Sequence, residues 1–413
     1  MSKRAKTLIA GMSAATLTCA ATFADDTTEV LNGQLNLDAT INVVAQGETG
    51  QTAAVNMTGI GSANALTVDV VERHDIQSDQ QFSGSVDVRA ESTVTAVDGT
   101  ALTTASAQGN SVSVINDNGM DADISQSAAD GSTVSSAAQL NVAAYAMNSV
   151  TTAVATANAY DGVSYGSDNN LALRQDSGAD VTADSYVLAP TGGLGNSANV
   201  IGAANGNSAQ IQGYYMYPEQ TVDVDQDNRG DVTGQARVEA GGGAVYTTAV
   251  ASANGNSVWI QNENGYAHLE GTQDNEGAVT AESEVLVGDF DIDLVSVSSE
   301  GVGNSAIISN IGADAFMGLD QTNTGAVTAR ANFEGDAGGS AMLSATAFGN
   351  AATTYVCSEC PVSAYGATNQ TNSAAVSSIV TGRVTNGGVL TGTATAIGNS
   401  ATYQTVNPYT SGN

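Results

Sequence analysis

Few residues of this 413-residue chain have the types and spacing that chemistry requires. The best-spaced carboxylates stand in "DVDQDNRGD", where Asp223, Asp225 and Asp227 alternate and Gly230 follows. Alternating oxygen ligands with a nearby glycine resemble a calcium loop. The bidentate Glu of a helix-loop-helix site is missing, however, and the glycine is misplaced. Alternating Asp on the solvent face of a strand accounts for the same pattern, because successive strand side chains point to opposite sides. Calcium is therefore one reading and a hydrated strand face the other. The embedded Arg229-Gly230-Asp231 is a short match without context.

Cys357 and Cys360, in "YVCSECPV", are the next candidates. In an oxidising compartment such a pair is expected to close as a local disulfide that pins one loop. A redox motif would open a helix in a βαβ context, and a zinc site would need two more ligands where the only histidines are His74 and His268. "GYYMYPEQ" sets Tyr214, Tyr215 and Tyr217 beside Glu219, which reads either as a sugar-stacking patch or as a loop insertion between repeats. There is no His-Glu-x-x-His and no phosphate-binding loop. The catalytic alternative left is a polysaccharide-processing β-helix enzyme working through paired carboxylates.

Composition says what must position such groups. Charged residues are 13% and aromatic residues 5%, with 46 glycines but only four prolines. Thr and Val alternating with small residues favour sheet over helix or disorder. Residues 1–24 read as a secretory signal peptide. Lys3, Arg4 and Lys6 precede an apolar stretch, and Thr22-Phe23-Ala24 offers a cleavage site. Leu17-Thr18-Cys19 lacks the small residue expected before a lipidated cysteine. Beyond this leader the 42 acids face seven arginines and no lysine. That balance excludes nucleic acid and electrostatic adhesion to anionic lipid. It suits solubility outside the cell, a cationic partner, or divalent cations.

The chain repeats itself. Taking the Asn of each Gly-Asn-small string as a marker gives Asn110, Asn207, Asn256, Asn304, Asn350 and Asn399, and the degenerate "GSANAL" and "ATANAY" add Asn64 and Asn158, so that all eight follow at steps of 46 to 49 residues. A further "GLGNSA" at Asn196 is out of register. Second markers, in "DQDN", "TQDN", "DQTN" and "NQTN", fall on Gln226, Gln273, Gln321 and Gln370, with weaker forms at Gln80, Gln126 and Gln175. Two markers in nearly constant phase define a genuine repeat. Within one unit, alternating strings are separated by "NGN", "NENG" and "DNEG", each a turn signal.

An all-β solenoid, β-helix-like, of about eight repeats follows, with 25–60 as a cap or the first repeat and 61–413 as the repeat region. A unit of 46–49 residues is long for one coil, so two coils per repeat are expected. Gly-Asn should form a corner, inward Val, Ile, Ala and Leu a thin continuous core, and the marker amides ladders along the axis. No cofactor is expected beyond the calcium reading.

The strings "ATAIGNSA" and "ATAFGNAA", the leader and the late "CSEC" resemble the holdfast anchor protein D (HfaD) family of stalked alphaproteobacteria, over nearly the whole chain. The Gly-Asn-Ser vocabulary is also similar to curlin repeats. The resemblance implies a non-enzymatic, exported anchor or adhesin at the outer membrane and cell surface, at the pole or stalk tip. It would attach an adhesive holdfast polysaccharide, with a small curlin-like protein and a secretion-pore-like lipoprotein as partners. A self-assembling, amyloid-like surface fibre subunit is the alternative.

Overall fold

The computed structural model describes residues 28–406 except 167, 215–217 and 244, and of 28 and 289–293 the backbone alone. The leader, and most of the tyrosine string at 214–217, lie outside the described residues. The rest is all β: seventeen strands and no helix among the described residues, every pairing parallel. One β-solenoid results.

A single coil has three sides. The long side is a strand such as Tyr246–Glu263. A corner leads to a short strand, Ala267–Asn275, and a second corner at 276–278 leads to a middle strand that starts at Val279. After an irregularity between Phe290 and Leu294 the chain enters the long side of the next coil. Both corners match "NENG" and "DNEG". The first holds a residue in the left-handed region, Asn264 with φ 66° and Gly312 with φ 92° one coil on, which is why Asn or Gly stands there.

Register corrects the expected coil length. Asn256 pairs directly with Asn207 on one side and Asn304 on the other, so each repeat is one coil, not two. The coil is flattened. An 18-residue strand on one side faces the short and middle strands on the other, so a single circuit uses the whole repeat. Eight long sides stack among the described residues: 55–70, 101–116, 149–165, 197–214, 246–263, 294–311, 340–357 and 390–406. Residues 28–52 already supply the short and middle sides of the first coil, paired with 74–97.

A second correction concerns Gly-Asn. Gly255-Asn256 makes no corner; it lies inside an unbroken strand. Burial alternates up to Ala253 on odd positions and from Val258 on even ones, with Gly255 and Asn256 both turned inward between them. Two inward residues in succession change the parity of the strand while keeping the same side on the core. A turn and this mid-strand irregularity ask for the same residues, because both need a side-chain-free backbone beside a short polar group.

The core is consequently split rather than continuous. One lobe lies between the middle strands and the first half of the long ones, and holds a column of stacked valines: Val86, Val134, Val181, Val232, Val279 and Val327. Each is fully buried, and burying a valine stabilises by roughly 1.5–3 kcal/mol. The other lobe lies between the short strands and the second half of the long ones, around Ile124, Leu173, Ile260, Leu269, Ile308 and Leu319. Polar residues separate the two.

A polar spine and two unlike faces

The separating residues are the sequence markers. Asn64 Nδ2 donates to Asn110 Oδ1, and the same 2.8 Å link repeats coil by coil to Asn399. The second amide hydrogen crosses the core to a carbonyl of the short strand: Asn256 Nδ2 reaches Asp274 O at 2.7 Å. The glutamines run the opposite way. Gln370 Nε2 donates to Gln321 Oε1, and so on down to Gln34, over 2.7–3.0 Å. Their spare hydrogens cross in the other direction, as from Gln273 Nε2 to Ser305 O at 3.0 Å. Each amide inside these two series thus has its donors and acceptor met, the condition for burying one cheaply.

Gln34 extends the glutamine series one coil beyond the markers read from sequence. A third ladder, Asn228–Asn275–Asn323–Asn372, lies outside the two marker series, although its signal stands in the "Gln-x-Asn" spacing that puts both amides on one face. The out-of-register Asn196 lies at the surface, where its amide donates to Asn148 Oδ1.

A size match supports the spine. A Cβ on Gly255 would overlap Asn275 Oδ1 and stand 2.6 Å from the Gly303 carbonyl oxygen. Gly206, Gly303 and Gly349 face Asn228, Asn323 and Asn372 in the same way. In the coil where the facing residue is Ser177, the glycine position is held by Ala157.

The outer surfaces differ. Over the eight long segments stand only four acids, Asp69, Asp161, Glu263 and Glu300, and no base. Their outward positions carry Ser, Thr, Asn, Gln and aliphatic residues, with Ile60, Ile201, Ile307, Ile311 and Met342 exposed. The short and middle strands and the corners carry nearly all the remaining charge, including every described ion pair. The slab has one neutral face and one acidic face.

Asp223 and Asp225 lie on the acidic face, pointing to solvent from the short strand. Asp225 accepts a hydrogen bond from Thr272, and Asp227 is held by Arg229 at 2.6 Å. Among the described residues no three His, Cys, Asp or Glu side chains gather as a metal-binding group. Arg229 bridges three coils, to Asp130 at 3.2 Å, Asp176 at 2.7 Å and Asp227. Burial opposes its charge, but hydrogen bonds to Asp176 and Asp227 raise its pKa, so the Arg-Gly-Asp string is a clamp in the wall. Cys357 and Cys360 are free thiols, not the expected bridge. Cys357 is committed to its strand by pairing with Ile311 and Val406, while Cys360 sits in a turn closed on Ser358 Oγ.

Burial raises the pKa of Asp161 and of Asp184, and raises that of Asp227 against the opposing pull of Arg229. Asp121 moves the other way, lowered by hydrogen bonds from Asn170 and Arg73. A carboxyl raised above its ordinary 3.8 binds its proton more readily folded than unfolded. Stability then rises as pH falls through the raised values toward 3.8, whereas the contribution of Asp121 is lost only below that. Relief of self-repulsion in a chain of net charge −32 acts in the same sense. The thermal midpoint is expected to be higher at about pH 4.5 than at about pH 7. A midpoint that falls over this interval would show that paired carboxylates dominate instead.

Set against known proteins, the chain matches the family model described as HfaD, holdfast attachment protein D, over residues 49–326, well over half its length. Searches of curated proteins and of solved structures found no match. The matched span covers long, short and middle strands alike and contains most of the spine.

Proposed function

Because this chain belongs to the holdfast attachment protein D family, we propose that it is a non-enzymatic anchor, holding an adhesive holdfast polysaccharide to the outer membrane at the cell surface. The observation that carries this reading is the unlike pair of faces on one continuous stack. A face with so many carboxylates is repelled by an anionic cell surface and stays hydrated. The neutral face can be covered without desolvating charge. Pull applied to the slab is shared among the parallel ladder bonds of successive coils and the amide spine. The family's implied partners, a small curlin-like protein and a secretion-pore-like lipoprotein, would meet the slab at its edges.

The test is cellular. Cells lacking the protein should still make the adhesive but release it intact into the medium. If they keep it, and purified protein cleaves or remodels the glycan, the enzyme reading takes the anchor's place.

A second reading, the self-assembling fibre subunit, has its own support. Among the described residues no element covers the first or the last coil, and Leu31, Leu35 and Leu390 are exposed there. The last coil ends with Asn399 Nδ2 and Gln370 Oε1 facing onward, and the first with Asn64 Oδ1 and Gln34 Nε2. Donor meets acceptor twice if one copy stacks on the next, a head-to-tail contact that does not close.

A further inference from the structure

We propose that the neutral face binds a polysaccharide chain free of acidic groups, and that its recognition patch centres on Trp259. This rests on the anchor reading and deepens it by naming the face and the ligand class.

Three observations converge. Trp259 points outward from the long strand, half-buried, in one column with Gln210 of the coil before and Ile307 of the coil after. Ile307 is 41% exposed, and Gln261 stands two residues along on the same face. Toward the corner, Tyr165 and Tyr214 stack across successive coils with ring centroids 6.1 Å apart. An indole and aliphatic surface interleaved with side-chain amides is the chemistry a sugar ring needs. The apolar side of a pyranose is covered by the former, and its hydroxyls are met by the latter.

Charge chooses among sugars. Covering a carboxylate with a neutral polymer costs desolvation, and the patch offers few to cover: Glu263 at its margin and Asp161 next to Gln210, one coil further from Trp259. A polymer carrying its own carboxylates is repelled by a chain of net charge −32 with no lysine outside the leader. Geometry suits a chain running along the stack. Successive coils rise by about 4.8 Å, close to the advance of one ring in an extended β-linked glycan, so each coil offers its Ser, Thr and amide groups to a further sugar. Weak contacts in series then add through multivalency.

The experiment is native affinity electrophoresis of the full chain in gels containing hydroxyethylcellulose or glycol chitin, two neutral β-linked polymers, or polygalacturonate, an acidic one. Retardation by a neutral polymer and none by polygalacturonate is expected. Trp259→Ala or Ser257→Asp should weaken it about tenfold, and Ser135→Asp on the acidic face should leave it unchanged. Trp259 is the only tryptophan, so its emission gives a second readout as glycan is added. Both substituted side chains are outward, and thermal melts establish that the variants fold. No retardation by either neutral polymer, or retardation that survives both face variants, overturns the assignment. If the assignment fails while deficient cells still shed their adhesive, the anchor reading stands without it.

Discussion

Replacing Asn256 by alanine is expected to destabilise the solenoid by about 3–6 kcal/mol and to divide its unfolding. The side chain is fully buried. It accepts from Asn207 Nδ2 and donates to Asn304 Oδ1 and Asp274 O. Alanine removes all three partners while the groups they served stay buried, and each group left unmet costs roughly 1–3 kcal/mol. In a stacked repeat, stability is a sum of coil and nearest-neighbour terms. A loss confined to one coil should therefore let the two parts of the stack melt separately, giving two urea transitions in place of one. Ser257→Ala, next in sequence but on the outer face, should change stability by no more than about 0.5 kcal/mol. One transition with an unmoved midpoint would show that the ladder is ornament to the valine columns.

The second large effect belongs to Gly255. Alanine here should cost about 1–3 kcal/mol, because the atoms its Cβ meets are a neighbouring backbone carbonyl and a laddered amide, neither free to retreat. The chain contains its own remedy in the pairing of Ala157 with Ser177. Asn275→Ser alone breaks links to Asn228 and Asn323 and should also destabilise. Made together, Gly255→Ala and Asn275→Ser should cost less than the two losses added, with a coupling of about 1–2 kcal/mol in a double-mutant cycle. Strict additivity would mean that the glycine is there for backbone freedom and not for space.

Much of the fold was legible because stacking forces it into the sequence. Residues that lie on one another in successive coils face the same environment, so the markers at 46–49-residue steps report the register directly. What lies within the plane of a coil has no such periodic trace. Whether a repeat makes one circuit or two depends on which segments face each other, and that hid the flattened coil. Gly255-Asn256 reads as a corner because the residue types that permit a corner also permit two inward side chains in mid-strand. The split core is hidden for the same reason, since the periodicity of Asn256 and Gln273 reports stacking along the axis and not depth inside the coil. The two faces were open to view, with nearly all acids outside the strings around Gly-Asn, but an overall composition averages them together. The cysteines show the limit of spacing, because C-x-x-C does not say which of its members a strand has already claimed.

One further property follows from the opposed directions of the two long amide series. A primary amide carries a dipole close to that of a peptide group, about 3.5 D. In a helix such dipoles add with length. Here eight asparagine amides are oriented toward one end of the stack and eight glutamine amides toward the other, so the fields of these two series oppose, and only the shorter Asn228–Asn372 ladder, which points with the asparagines, is left unbalanced. Gaining or losing a coil that carries only the two long series, as those before Asn228 do, then changes neither the field at the ends nor the groups displayed there. For such coils length is an electrostatically neutral variable, free to be set by the distance the slab has to span.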